Sequence, residues 1–267
     1  MPDDFRYLQT HREDATLVCT ITNPPQNFLN AAILTELTQL ADDIAEDETV
    51  RALVLTGGVE GIFITHYDVS ELTGAAAIAR ERESFGAGEL HALHKLLLRF
   101  GVWRIPVIAA INGTAMGGGC ELTLGCDFRY MARGGYQIGL PEVRIGLLPG
   151  GGGTQRMTRF LGQAKALELM LLGNTLDADA AERAGLVHRA CDPDQLLPDA
   201  LALAAELASR PPLSIALIKQ CVRQGAELPL IDALKFEQDA FWQTMRSDDA
   251  ARLMRAYLAS DRPLNEQ

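Results

Sequence analysis

Two glutamates lie beside glycine-rich stretches of the sequence, in positions that could support acid–base chemistry. Glu121 directly follows Gly117-Gly118-Gly119-Cys120, and Glu142 follows Pro141. Glycines after a buried strand let a ligand approach the main chain, and unpaired N–H groups at a helix start stabilise a negatively charged oxygen. Two carboxyl groups in such surroundings could exchange protons with a substrate. A glutamate in a first helical turn is also a common partner of the helix dipole, so both interpretations stay open.

A third candidate for chemistry is the segment FITHYD, residues 63–68. It follows an apolar stretch and a double glycine, and is therefore predicted to be a loop after a strand. His66, Tyr67 and Asp68 are consecutive and carry functional side chains. Three interpretations remain: these residues are catalytic, they bind a ligand, or only their backbone groups matter.

The motifs disfavour two other kinds of site. Neither Gly113–Glu121 nor Leu148–Gln155 fits a phosphate loop or the GxGxxG fingerprint, so a nucleotide cofactor is not indicated. His91 and His94 share a predicted helix face with Glu89, a spacing that a metal site could use. No further ligand supports such a site, and an ordinary pocket or interface face is favoured. We therefore expect no metal.

The composition is that of an acidic chain with a large apolar fraction. Of the 267 residues, 48% are hydrophobic, and the formal net charge is −11. Without a basic run, we expect neither nucleic-acid binding nor docking on an anionic membrane. The five cysteines include no CxxC pair, which favours reduced thiols over disulfides or zinc. The start of the chain lacks a signal-peptide pattern, so we expect a cytoplasmic protein.

Strand and helix patterns alternate through about residue 140. Strands are predicted at 16–22, 51–55, 106–111 and 128–131, and helices at 31–47, 89–100 and 120–124. This alternation predicts an α/β fold with a largely parallel sheet. Beyond about residue 153 only helices are predicted, at 154–161, 163–172, 178–184, 195–209, 212–225 and 231–258.

Two long segments resemble the enoyl-CoA hydratase/isomerase superfamily, the crotonases: PVIAAINGTAMGGGCELTLGCDFRYMA and GLPEVRIGLLPGGGGTQRMTRFLG. The similarity begins near Thr16 and covers nearly the whole chain. It implies a crotonase-like spiral of ββα repeats over residues 1–200. It also implies a C-terminal helical region, residues 201–267, that serves in trimerisation or as a lid. Family members are typically trimers or dimers of trimers, so a homotrimer or homohexamer is expected.

The resemblance also implies the chemistry of an acyl-CoA enzyme. Two backbone N–H groups would hold the thioester carbonyl and stabilise an enolate-like oxyanion, and one of them matches Gly118. Glu121 matches the glutamate that helps to activate water. Glu142 matches the main acid/base, which supplies the proton at the α-carbon. The presence of both glutamates favours syn hydration of a 2-trans-enoyl-CoA to a 3-hydroxyacyl-CoA. Coenzyme A would enter only as part of the substrate, and no other cofactor is expected.

The segment 63–68 departs from the family pattern Phe-x-Ala-Gly-Ala-Asp. Aligned on Phe63 and Asp68, His66 replaces a glycine and Tyr67 replaces an alanine. The backbone N–H of Tyr67 would be the second oxyanion donor, and its side chain would not be required. A left-handed backbone at His66 would be strained.

The resemblance places the substrate and CoA path along seven residues: His66, Tyr67, Asp68, Val69, Ser70, Gly117 and Gly118. Ser70 stands where many members have a lysine near the CoA phosphates, so CoA affinity or acyl preference is expected to differ. Two alternatives stay open. The chain could run another crotonase reaction (isomerisation, thioester hydrolysis or retro-aldol cleavage), or bind acyl-CoA without turnover.

Overall fold

Three apolar stretches of the sequence form the centre of the larger of two β-sheets. The computed structural model describes residues 5–81, 88 and 90–264. Its strands are β1 (Leu8–Glu13), β2 (Thr16–Ile21), β3 (Ala52–Gly57), β4 (Ile62–Ile64), β5 (Val107–Ile111), β6 (Thr114–Met116), β7 (Phe128–Ala132), β8 (Ile138–Gly139), β9 (Thr175–Leu176) and β10 (Arg189–Cys191). The central stretches are β2, β3 and β5, as predicted, and the mixed α/β class is confirmed.

Eleven α-helices lie in the described part of the chain, and those after β10 follow one another without a strand. They are α1 (Ala31–Glu46), α2 (Val69–Arg80), α3 (Ala92–Val102), α4 (Gly118–Gly125), α5 (Gly153–Leu161), α6 (Gln163–Leu172), α7 (Ala178–Ala184), α8 (Leu196–Ala208), α9 (Pro212–Gly225), α10 (Leu230–Met245) and α11 (Asp248–Leu258). A 3₁₀ helix spans Glu142–Ile145.

The larger sheet has the strand order β1-β2-β3-β5-β7-β10, and the smaller has the order β4-β6-β8-β9. Neighbours pair in parallel except for β1 with β2 and β8 with β9. From β3 onward the chain places one strand in the larger sheet, the next in the smaller, and then forms a helix. This order repeats three times, through α2, α4 and α5, and brings the ends of β4, β6 and β8 together.

The inner strands of the larger sheet bury side chains on both faces. In β3, Leu53 and Leu55 join the core shared with the smaller sheet, whereas Val54 packs in a second core with α8. The period of two residues along a strand produces this alternation. A strand covered on both faces reads as a continuous apolar run, which is the pattern that predicts these strands from sequence.

The C-terminal helices differ in how closely they pack on this core. Leu196, Ala200 and Ala204 of α8 belong to the second core, so α8 spans the expected boundary at residue 200. In contrast, α11 has no buried residue and α10 buries only Ala240.

Several elements differ from those predicted. The short strands β4, β6 and β8 are absent from the prediction, and the prediction of helices alone beyond about residue 153 is wrong, because β9 and β10 lie there. Strands of two or three residues are too short to show a period of two. The single helix predicted over 231–258 is wrong: it is interrupted at Ser247, whose side chain caps α11 by accepting the N–H of Ala250. β1 and α2 are absent from the prediction. β1 is largely exposed and polar, and α2 buries no residue, so neither has an apolar face that a period could reveal.

No single helix in the described ranges has both the length and the apolar character of a membrane span. α8 and α9 meet that criterion only when joined, across a bend of 105°.

Candidate active site

The site forms where α4 begins, directly after β6. Gly117 has φ +48°, a conformation that glycine adopts readily, and its N–H donates to the carbonyl of Gly139 at 2.9 Å. The first hydrogen bond of α4 runs from the N–H of Glu121 to the carbonyl of Gly117, at 2.8 Å. The N–H of Gly118 therefore has no acceptor within the helix and carries the positive end of the helix dipole.

The backbone of Tyr67 lies against Gly118. A Cβ built on Gly118 would lie 3.3 Å from the backbone nitrogen of Tyr67. Leu29 pairs with the peptides on both sides of Tyr67: its N–H donates to the carbonyl of His66 at 2.9 Å, and its carbonyl accepts the N–H of Asp68 at 2.7 Å. Within the described ranges, neither the Tyr67 N–H nor the Gly118 N–H donates a hydrogen bond. Two free donors are thus adjacent.

His66 does not adopt the left-handed backbone that a glycine at this position would allow. The described non-glycine residues with positive φ are Asp14 and Asn27. The His66 ring stacks on Phe28 with centroids 4.7 Å apart, and its Nδ1 lies 2.7 Å from the carbonyl oxygen of Tyr67. The strain expected at His66 is therefore absent.

Glu121 points from the first turn of α4 to the loop that leads into α5. Its Oε1 accepts the N–H of Gly151 at 2.6 Å and the N–H of Gly153 at 2.8 Å. Burial raises the pKa of Glu121, and these two hydrogen bonds oppose that effect because they favour the carboxylate. The loop therefore holds a buried carboxylate in a fixed orientation.

Glu142 opens the 3₁₀ helix after β8, as its position behind Pro141 predicts. Its Oε1 would lie 3.3 Å from a Cβ built on Gly117, while its Oε2 is buried and has no hydrogen-bond partner among the described residues. Burial, with a further contribution from the charge of Glu121, raises the pKa of Glu142 to about 7. A carboxyl group with this pKa can donate or accept a proton near neutral pH.

Asp68, Val69 and Ser70 form the start of α2. Asp68 caps the helix by accepting the N–H of Ser70 at 2.8 Å and its hydroxyl at 2.6 Å. These hydrogen bonds lower the pKa of Asp68. Val69 is exposed. The polar groups of Asp68 and Ser70 thus have a local partner in each other.

The two histidines at the start of α3 contact different parts of the structure. His91 caps α3 by accepting the N–H of Leu93 at 3.3 Å, and its ring meets the Tyr67 ring edge-on at 6.3 Å. His94 lies against the loop before α5, with Nδ1 3.5 Å from a Cβ built on Gly152. Glu89, the third residue considered for a metal site, lies outside the described residues.

Three further residues contribute to the site, and no sequence motif assigns them a role there. Gly151 and Gly153 belong to the glycine-rich stretch Leu148–Gln155. Glu71 accepts the hydroxyl of Tyr67 at 2.8 Å, and their separation of four residues is the spacing of neighbours on a helix. The sequence shows this four-residue spacing, but its pattern does not predict α2.

The chain is similar to known proteins over most of its length. A family model described as enoyl-CoA hydratase/isomerase matches residues 11–266. The short-chain-enoyl-CoA hydratase of Clostridium acetobutylicum is 35% identical over 248 residues, 92% of each chain. The crotonyl-CoA hydratase of Syntrophomonas wolfei is 34% identical, over 92% of this chain and 93% of that protein.

The similarity extends to three-dimensional structure. Enoyl-CoA hydratase subunit I of Geobacillus kaustophilus HTA426 matches this fold with a TM-score of 0.87, at 32% identity and over 97% of each chain. The expected crotonase-like fold and the expected class of enzyme, a lyase of the enoyl-CoA hydratase type, are confirmed. The chain belongs to the enoyl-CoA hydratase/isomerase family, the crotonases.

Proposed function

We propose that the chain adds water across the double bond of a 2-trans-enoyl-CoA and forms the 3-hydroxyacyl-CoA. The observation that carries this proposal is the pair of glutamates beside two free backbone donors. Glu142, with a pKa of about 7, lies against Gly117, and the next residue along the chain is the donor Gly118. Glu121, on the same short helix, is oriented by the Gly151–Gly153 loop.

The thioester carbonyl oxygen binds between the N–H groups of Tyr67 and Gly118. As water attacks the β-carbon, the electrons of the double bond move toward this oxygen, and the two donors stabilise the enolate that forms. The loss of one donor of this kind typically costs about 3–4 kcal/mol in the transition state. Both donors are therefore required for turnover at a useful rate.

The two glutamates move the protons. Glu121, as the carboxylate, takes a proton from the attacking water while the new C–O bond forms at the β-carbon. Glu142, as the acid, delivers its proton to the α-carbon and leaves as the carboxylate. The two glutamates together hold one proton before and after the step. Exchange with solvent then removes the proton from Glu121 and returns one to Glu142.

Coenzyme A belongs to the substrate in this proposal, and the reaction requires no metal or redox cofactor. The path for the CoA moiety runs along His66, Tyr67, Asp68, Val69 and Ser70, where α2 begins. The exposure of Val69 and of the first turn of α2 supports this route. Gly117 and Gly118 face the same path from α4.

The proposal is tested by incubating the protein with crotonyl-CoA and following the loss of the enoyl-thioester absorbance. Glu121→Gln and Glu142→Gln keep the size of each side chain and remove its proton transfer. Glu182→Gln, on the exposed face of α7, is the matched control. We expect rapid loss with the parent protein and the control, and at least a hundredfold lower kcat in each active-site variant, about the contribution of one acid–base group.

The alternatives give different results in the same assay. A protein that binds crotonyl-CoA without any loss of absorbance over hours would contradict the proposal and indicate a non-catalytic homologue. Release of free CoA, or migration of the double bond, would assign another reaction of the family.

We also propose that copies of this chain assemble as a homotrimer or as a dimer of trimers. The apolar residues exposed on α10 and α11 support this, among them Leu230 (72% exposed), Trp242 and Leu258 (82%). Exposed apolar patches of this kind commonly mark protein–protein contacts. Light scattering coupled to size exclusion should give three or six times the monomer mass, and a monomer at micromolar concentration would contradict the proposal.

A further inference from the structure

The side chain of Tyr67 has a partner that the proposed hydration does not use. Its hydroxyl donates to Oε2 of Glu71 at 2.8 Å. The same oxygen accepts the N–H of Ala31, the first residue of α1, at 3.1 Å. One carboxylate oxygen therefore joins three groups: Glu71 itself in the first turn of α2, the backbone N–H at the start of α1, and the side-chain hydroxyl of Tyr67.

This junction lies next to the hydrogen bonds that orient the Tyr67 peptide. Leu29, two residues before Ala31, pairs with the peptides on both sides of Tyr67. A displacement of the α1 start relative to α2 would carry Leu29 with it and turn the Tyr67 N–H away from Gly118. The Glu71 carboxylate opposes such a displacement because it holds Ala31 and Tyr67 at once.

The Tyr67 side chain is large and starts beside the two N–H donors, so its position must be held. Its Cβ would lie only 3.2 Å from a Cβ built on Gly118, so the ring starts directly beside the donor pair. The hydroxyl bond to Glu71 and the edge contact with His91 fix the position of the ring. Burial and the Glu71 carboxylate also raise the pKa of Tyr67, so the hydroxyl stays protonated and remains a donor.

We propose that Glu71 is a positioning residue: through the Tyr67 hydroxyl and the Ala31 N–H, it keeps the Tyr67 N–H directed at the substrate carbonyl oxygen. This inference rests on the proposed function, because it assigns the Tyr67 N–H to the oxyanion site. It gives the tyrosine side chain a role in catalysis without contact with the reacting atoms.

Four variants separate positioning from a merely structural role. Tyr67→Phe removes only the hydroxyl, and Glu71→Ala removes the shared acceptor. Glu71→Gln is the matched control, since the amide oxygen of glutamine can accept both hydrogen bonds. The double variant Tyr67→Phe with Glu71→Ala tests whether the two residues act as one unit.

The readout is the polarisation of a bound carbonyl. The probe is para-dimethylaminocinnamoyl-CoA, whose donor group is conjugated to the thioester, so stabilisation of charge on the carbonyl oxygen moves its absorption to longer wavelength. The parent protein and Glu71→Gln should give the full shift. Tyr67→Phe and Glu71→Ala should give a smaller shift, together with about a three- to tenfold lower kcat for crotonyl-CoA and a similar KM, the effect of one hydrogen bond. The double variant should have a probe shift and a kcat no lower than those of the less active single variant.

A lower melting temperature in Glu71→Ala, with an unchanged probe spectrum and kcat in all variants, would overturn the inference and leave Glu71 with a structural role. A separate result bears on the proposed function. If the parent protein polarises the probe but does not hydrate crotonyl-CoA, the hydratase assignment fails. The variant spectra still decide the role of Glu71 in that case.

Discussion

The carboxylate of Glu121 lies directly against the backbone of Gly151. Oε1 of Glu121 accepts the N–H of Gly151 at 2.6 Å, and Oε2 would lie 2.5 Å from a Cβ built on that glycine. Glycine is required at this position because the backbone must approach the carboxylate closely.

Replacement of this glycine should therefore affect catalysis and stability together. We expect Gly151→Ala to displace Glu121, to lower kcat for crotonyl-CoA at least tenfold and to reduce the free energy of unfolding by about 1–3 kcal/mol. Gly150→Ala is the matched control, because a Cβ on Gly150 would meet nothing within 4 Å. Enzyme assays and urea unfolding check both variants; equal behaviour of the two would refute the positional role of the loop.

The activity should depend on pH through Glu142. Because its pKa is raised to about 7, the glutamate pair loses the proton needed at the α-carbon as the pH rises through that value. We expect kcat/KM for hydration to fall about tenfold per pH unit above this point. The reverse reaction should follow the same profile, since the overall reaction takes up no net proton. A profile that stays flat to pH 9 in both directions would contradict the assignment of Glu142 as the acid.

The raised pKa of Glu142 should also make the free energy of unfolding depend on pH. Folding raises the pKa of Glu142 from 4.5 to about 7, so the folded protein binds more protons than the unfolded chain between these values. The stability contributed by protonation is fully present below about pH 4.5 and is lost as the pH rises through about 7.

Glu142→Gln should therefore be the more stable protein at pH 8, by about 1–2 kcal/mol, less than the full shift because the side chain is only partly buried. The difference should become smaller as the pH falls toward 5. Urea unfolding at pH 5.5 and pH 8 measures it, with Glu182→Gln as a control that should match the parent protein at both values. If Glu142→Gln were less stable than the parent at pH 8, the ionised Glu142 carboxylate would not destabilise the folded protein.

A nearly buried ion pair between Lys219 and Asp127 anchors α9. Nζ of Lys219 lies 2.6 Å from Oδ2 of Asp127 and donates to the carbonyl of Ile105 at 2.6 Å, and both charged side chains are nearly buried. Removal of Lys219 leaves the nearly buried Asp127 carboxylate with Arg223 as its ion partner, at 3.0 Å. Lys219→Ala therefore removes a charge-assisted hydrogen bond and should reduce the free energy of unfolding by about 1.5–3 kcal/mol. Lys235→Ala, which removes an exposed pair with Asp232, should change it by less than about 1 kcal/mol. Comparable losses in the two variants, measured by chemical unfolding, would show that the buried pair does not anchor the helix.

Sequence patterns predict the longer elements that bury apolar residues, but not short buried strands such as β4 and β10. The apolar spacing of Ile33, Leu37 and Ile44 predicts α1, and all three are buried. The glycines before Glu121 likewise predict a short helix with unpaired donors at its start. Both predictions depend on local physical chemistry, which the sequence carries directly.

The remaining features depend on contacts between distant segments. The N–H groups that orient Glu121 come from Gly151 and Gly153, about 30 positions later in the chain, and no local pattern links them. The absence of strain at His66 likewise follows from the pairing of Leu29 with the Tyr67 segment. The contact of Glu71 with Ala31 requires both helix starts to be placed first.

In the proposed reaction, Glu142 delivers a proton to the α-carbon while water adds to the β-carbon. This step is tested by reacting crotonyl-CoA in D₂O and analysing the product by NMR. We expect 3-hydroxybutyryl-CoA that carries one deuterium at the α-carbon, on the face to which the hydroxyl adds, and no such product with Glu142→Gln. Free CoA, a shifted double bond, or undiminished deuterium incorporation by Glu142→Gln would contradict it.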